Sequence, residues 1–527
     1  MTLLSQIPGI DDNDLLIRKN RRCNIAALVI SLLIAVVGFS GCFEYSGEPM
    51  DEGTLLVYPE LIQNGAVPYR DFETFYGPAN PWLLAGVYSV FGNNVIVERR
   101  TGLFYRLLIM GAIFCLAQRR GTNVALACTL LSGLTLILTG VVAHAWMAAM
   151  VCALWYLWVL TRRELSSRGA FLAGMLGGLA LLFRLDLGPA LILATLPLFV
   201  AISWRQRWIV MGGAAVALAP LAGVAVVAGA DQMLNNLFVY PVLRSNPGRH
   251  IPISSIEPFL LHLLWLHFAA VAVNVAAGLC GAWGSWGNRR KLVMLSVSLL
   301  SLGVTHQALQ RLDVFHLLLA AFLSIGILPL AVSILTARVA ATKKREGIAA
   351  LACAAVVIVS VSALAPTFPP IIARAFADGA RGNPSGAIFV EKNGRSFPVG
   401  DEITARALDE MLDQLEQHSE AGQRLFVGPA DLRTTIYCDT FIYHLVPKLR
   451  PATYFLEMNP FSANRPDSRL ADDVQSADWL VLNLAWNIPE SFNRSGDQGS
   501  DAPNVVVREN FVLVGIYDTY GLFRRKS

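Results

Sequence analysis

The residues able to do chemistry gather in one stretch, roughly 43–101, and at a few isolated positions after it. The stretch holds the adjacent acids Asp51 and Glu52, then Arg70, Asp71 and Glu73 within Pro-Tyr-Arg-Asp-Phe-Glu, and closes on Arg100. A carboxylate at the edge of a low-dielectric medium has its pKa raised by desolvation, which makes it a better base toward a hydroxyl proton. The isolated positions carry cations: Arg184, Arg244, Arg249, His250, Arg311 and His316, with Asp186 and Asp313 each two residues after an arginine. An arginine fork suits phosphate because it can bond two oxygens at once. Each group also has a plainer use. Asp51 after Pro49 serves equally as a helix cap, the Arg-Leu-Asp pairs serve as structural ion pairs at helix ends, and His144 serves as a satisfied helix-end histidine.

The elements that position these residues are membrane helices. The chain has 527 residues, 54% hydrophobic and 15% charged, against about 25% charged in a soluble domain. Eleven apolar segments approach the length of about 20 residues needed to cross a bilayer. They lie near 24–42, 102–118, 122–140, 144–160, 169–184, 187–203, 208–228, 258–283, 292–309, 315–336 and 347–366. Lys and Arg in short loops mark the cytoplasmic side. Arg18, Lys19, Arg21 and Arg22 precede the first segment, and every second loop is then basic: Arg119–Arg120, Arg162–Arg163 with Arg168, Arg205 with Arg207, Arg289–Lys291 and Lys343–Arg345. One missed helix would invert all later loops, so the alternation argues for the count. The basic loops mark topology and imply no nucleic-acid partner. The chemistry-bearing arginines fall on the opposite, extracytoplasmic side, against the usual trend.

Three regions follow: a cytoplasmic segment 1–23, a transmembrane region 24–366 with its long first outer loop 43–101, and an extracytoplasmic tail 367–527. The first loop should form two short helices. One runs from Asp51 to near Gly65. The other has Asn80 as N-cap, Pro81 at the first helical position and Gly92 just past its end; it is nearly all apolar and too short to span, which suits a membrane surface. The tail changes to polar helical pattern over 401–420 and strand-like runs at Arg424–Gly428, Trp479–Asn483 and Phe511–Tyr517. The expected fold is an α-helical polytopic membrane protein of about eleven transmembrane helices with a small C-terminal α/β domain outside. Of eight cysteines only Cys438 lies in the tail, and no CxxC or Cys/His metal spacing occurs.

An Asp-Glu pair just outside the first membrane helix, the Pro-Tyr-Arg-Asp-Phe-Glu segment, and an apolar helix ending Phe-Gly with an arginine after it resemble the first outer loop of GT-C glycosyltransferases. The protein O-mannosyltransferases and the bacterial aminoarabinose transferase belong to that superfamily. The resemblance implies a bacterial plasma-membrane enzyme with a polyprenyl-phosphate sugar as donor and a glycan, lipid or protein as acceptor. It implies Asp51 as the catalytic aspartate, Glu73 as the acid before the second loop helix, and Arg100 as the arginine following that helix. Two departures stand out. Tyr76-Gly-Pro replaces the usual Lys-Pro, and His144 stands where relatives carry an acid in the second outer loop, which weakens the case for a two-carboxylate site holding a divalent cation. Asp71 and Glu73 are further carboxylates for the reaction, with Glu52, Arg70 and His144 beside the substrate. A good leaving group needs no protein acid, so one base and several arginines suffice. Two other classes fit a polytopic chain. A transporter or lipid flippase would carry repeats and mid-membrane charges; a polysaccharide polymerase or ligase would carry its large functional loop late in the helix series.

Overall fold

The computed structural model describes residues 21–244, 251, 253, 256–337, 342–382, 387–435, 437–487 and 495–526. Most of the cytoplasmic segment expected at 1–23 lies outside them, as do Arg249 and His250. Helix α1 (Arg21–Ser40) leads into the first loop, which holds α2 (Asp51–Gln63) and α3 (Ala79–Phe91). The bundle continues with α4 (Val95–Ala117), α5 (Thr122–Ile137), α6 (Ala145–Leu160), α7 (Ser167–Phe183), α8 (Gly188–Val200) and α9 (Trp204–Ala228). After a π-helical turn over Asn235–Arg244 come α10 (Pro258–Ala282), α11 (Val293–Gly303), α12 (Thr305–Gln310), α13 (Val314–Gly326), α14 (Leu328–Thr336) and α15 (Lys343–Leu364).

Among the described residues seven helical spans are long and apolar enough to cross a membrane, and four shorter apolar helices, 122–137, 145–160, 167–183 and 185–200, pack among them. A 16-residue helix rises only about 24 Å, less than a bilayer core, but α6 is buried on nearly all sides and meets lipid little. The basic turns meet at one end of the bundle. Arg119 donates to Thr161, Arg120 pairs with Glu346 at 3.6 Å, and Arg289 donates to the Leu160 and Arg163 carbonyls.

The tail sits at the other end. It begins with α16 (Phe368–Arg381), which packs on α1, and a hairpin of β1 (Ile388–Lys392) and β2 (Arg395–Val399) turned at Asn393–Gly394, both with positive φ. Asn-Gly is the preferred pair for such a turn. Helix α17 (Glu402–His418) then packs against a five-stranded sheet of β3 (Arg424–Pro429), β4 (Arg450–Pro451), β5 (Trp479–Asn483), β6 (Phe511–Tyr517) and β7 (Tyr520–Arg525) in the order β4-β3-β5-β7-β6. β3 is parallel to β4 and β5, while β7 is antiparallel to β5 and β6. The expected small α/β domain is therefore present.

Candidate active site

Two loops are fixed first. Helix α4 carries Glu98, Arg99 and Arg106 on its buried side. Arg99 forms a fork with Glu52 (2.6 and 2.8 Å), with side chains 2% and 0% exposed, and its remaining amino group donates to the Phe43 and Tyr45 carbonyls. This ties the start of α2 and the chain before it to α4. Arg106 donates to the Val142 and Thr139 carbonyls, and Glu98 accepts from the Ala143 N–H, which ties down the second outer loop. Gly102 allows that approach: a Cβ there would lie 1.8 Å from the Val141 carbonyl oxygen.

Between these loops Glu48 and His144 face each other. Glu48 Oε2 is 3.4 Å from His144 Nε2. Both side chains keep accessible surface, 35% and 14%, yet both sit deep among protein atoms, the signature of a recess rather than an outer face. Burial and the charges of Asp51 and Glu52 push the Glu48 carboxyl up to about 8, so it carries a proton at neutral pH. Burial and the charges of Arg106, Arg184 and His316 hold His144 down to about 3, so its ring is neutral. A protonated Glu48 facing a neutral imidazole is a compatible donor and acceptor.

The cations enter from the later loops. Arg184 leaves α7 in extended conformation, and its Nε and Nη2 form a fork with Asp186 (2.8 and 2.6 Å). Nη2 also donates to Gln307, and the guanidinium lies over the Tyr76 ring at 4.4 Å and the Trp146 ring at 5.3 Å. Gly77 brings the first loop this close, since a Cβ there would lie 1.8 Å from the Leu182 carbonyl oxygen. His306 Nε2 is 3.8 Å from Asp186. Asp313 caps α13, bonds His316 Nδ1 at 2.9 Å and pairs with Arg311 at 3.2 Å. Phe315 from the same turn packs edge-on against His144.

Of the three candidate catalytic acids, Asp51 alone stands at this group. It is the first residue of α2 and is exposed, with Met50 as the N-cap. Glu52 belongs to the buried clamp with Arg99. Glu73 is buried in the seam with the tail, where its N–H donates to the Tyr454 carbonyl and its carboxylate accepts from Ser462. Asp71 is held in an exposed turn by Arg70, whose fork keeps the carboxyl below the usual range, and by the Val67 N–H. Arg100 is exposed on α4; the arginine engaged with the first loop is its neighbour Arg99. Asn80 does not cap α3, which starts at Ala79; its amide spans from the Ala143 carbonyl to the Tyr105 hydroxyl. Arg244 ends the π-helical turn with Asp467 nearby. Among the described residues no group of three or more His, Cys, Asp or Glu side chains is arranged to hold a metal ion. Glu48, His306, Gln307 and Tyr76 join the site only through tertiary structure; an acid three residues before Asp51 was the one signal for Glu48.

This bundle with its outer loop and appended sheet shares its fold with solved membrane-protein structures. It is similar to the crystal structure of ArnT from Cupriavidus metallidurans bound to undecaprenyl phosphate, with a TM-score of 0.53 and 14% identity over 95% of this chain and 97% of that one. The same protein in the apo state gives a TM-score of 0.54 over the same shares. No protein-family model matches the sequence, and no curated protein matches it.

Proposed function

We propose that the chain is a membrane glycosyltransferase that moves a sugar from a polyprenyl-phosphate donor to an acceptor outside the cytoplasm. The observation that carries this reading is the meeting of Asp51 and Glu48 with Arg184, Arg311, His144 and His316 around one recess at the end of the bundle that bears the tail. ArnT, whose fold it shares, is described with undecaprenyl phosphate bound.

The reaction is a direct displacement. The acceptor hydroxyl oxygen bonds to the anomeric carbon from the face opposite the phosphate, its proton passes to the Asp51 carboxylate, and the carbon–oxygen bond to phosphate breaks with its electron pair on the departing polyprenyl phosphate. The anomeric configuration inverts. Burial and the neighbouring charges of Asp51 and Glu52 favour a proton on Glu48, which favours Asp51 as the base. Arg184 uses Nε and Nη2 on Asp186 and Gln307, which leaves its Nη1 edge for a phosphate oxygen; Arg311 supplies the second charge. Positive charge placed where phosphate charge develops stabilises the transition state without reorganisation. The basic turns at the far end support a reading in which the recess and the tail lie outside the cytoplasm.

The test is turnover of synthetic polyprenyl-phosphate sugars by purified protein, read as released polyprenyl phosphate, with the product's anomeric configuration determined. Asp51→Asn keeps shape but not basicity and should lower turnover by at least roughly 10²–10⁴ while donor binding persists. Near-wild-type turnover in that variant would remove Asp51 from the mechanism.

A further inference from the structure

The small domain has a crevice of its own. Its first three parallel strands are β3, β4 and β5, and β4 and β5 lie on opposite sides of β3. The chain thus reverses its direction of winding at the β3–β5 gap. Open α/β sheets bind ligands outside the carboxyl ends of the strands at such a point. The segment after β3 brings Tyr437 and Asp439 there, and the end of β5 brings Asn483 and Trp486. The Tyr437 and Trp486 rings lie 4.8 Å apart at 52°, and both keep partial exposure.

The pair is held by a buried acid. Asp439 is 2% exposed, and its Oδ2 accepts from Asn483 Nδ2 at 2.7 Å and from Trp486 Nε1 at 2.9 Å. Burying a carboxylate is costly, and fixing the tilt of a half-exposed indole is a use that packing alone does not require. Two other tyrosines of the domain are committed elsewhere: Tyr443 to the Val427 N–H, and Tyr454 to Tyr69, Asn236 and Gln232.

The crevice faces the chemistry. Among nearby charges Asp51 and then Glu48 act most strongly on the Tyr437 phenol. The Phe441 N–H donates to the Pro49 carbonyl at 3.1 Å, so this edge of the domain is fixed to the start of α2.

We infer that Tyr437 and Trp486 form a saccharide subsite that stacks a pyranose ring of the acceptor and presents its hydroxyl to Asp51, which makes the acceptor a glycan. Aromatic faces suit the C–H face of a sugar, while Asp51 and the Tyr437 hydroxyl meet its polar rim. The word acceptor rests on the transferase reading; the saccharide site does not.

Saturation-transfer NMR on the full-length protein in nanodiscs tests this with maltotriose, mannotriose and galactotriose, free and as octyl glycosides, and a threonine-rich peptide. At least one trisaccharide should bind through its ring C–H protons. Trp486→Ala should weaken its Kd about tenfold, and Trp486→Phe, which keeps a ring but loses the Nε1 donor, by less. Tighter binding of the octyl form assigns a lipid-linked glycan and equal binding a free one. Binding of the peptide alone, binding of no saccharide, or an unchanged Kd in Trp486→Ala overturns the subsite; if that variant fails to fold, an unchanged Kd in Tyr437→Leu does so. Wild-type donor turnover is measured separately. Saccharide binding that depends on Trp486 without any donor turnover would sink the transferase reading and leave the subsite standing.

Discussion

Adjacent arginines should give opposite results. Arg99 and Glu52 are 2% and 0% exposed, and four hydrogen bonds leave the guanidinium, two to Glu52 and two to the Phe43 and Tyr45 carbonyls. Arg99→Met leaves Glu52 buried with the Glu48 N–H at 3.3 Å as its remaining bond. Breaking a buried pair from one side costs about 3–5 kcal/mol, and the two orphaned carbonyls add roughly 1–3 kcal/mol. The expected loss is thus about 4–8 kcal/mol, enough to unfold the outer loop or the protein. Adding Glu52→Leu removes the stranded charge and should recover about 3 kcal/mol or more. Arg100→Ala, on the exposed side of the same turn, should stay within about 0.5 kcal/mol. Unfolding titrations in mixed micelles measure all four proteins. Equal losses for the two arginines, or a double variant no better than Arg99→Met, would show that the clamp does not hold the loop.

Arg311→Ala should weaken binding of a polyprenyl-phosphate sugar roughly tenfold to a hundredfold, seen by equilibrium binding; Arg184→Ala should do likewise and also lower the melting temperature, because it strands Asp186. Unchanged donor affinity in both removes the phosphate grip. For Glu48 the folded pKa, about 8, lies above the ordinary 4.5. Its proton therefore contributes stability that is complete below about pH 4.5 and lost as pH rises through about 8. Melts from pH 5 to 9 should fall between about pH 5 and 8 and level off above that in the wild type, and fall less in Glu48→Gln; parallel curves would count against the shift. A reporter fused after Ser527 should be active only outside the cytoplasm, and cytoplasmic activity would invert the topology.

The helical membrane architecture was legible because hydropathy reports directly on lipid. The tail's strands at 424–429, 479–483 and 511–517 were legible from apolar runs. Asn393–Gly394 is a further local hairpin signal. The site was less legible, for geometric reasons. Whether Arg99 or Arg100 turns inward depends on helix phase, which a loop motif does not fix. Asn80 before Pro81 reads as a cap, but its amide is taken by the Ala143 carbonyl and Tyr105. Glu73 reads as catalytic from its loop, yet it is buried by Tyr454 and Ser462, residues with no local trace in the loop's sequence.

The seam between the first loop and the tail has a consequence for synthesis. Glu60 is forked by Arg395, 335 residues later; Tyr58 bonds Glu457, 399 residues later; Glu73 bonds Ser462, 389 residues later. The loop bearing Asp51 leaves the ribosome early and must wait, with polar groups unpartnered, through the insertion of every later helix. Its final shape arrives only when the tail has been made and has folded. A chain clipped before the tail would then lack the partners that order the first loop.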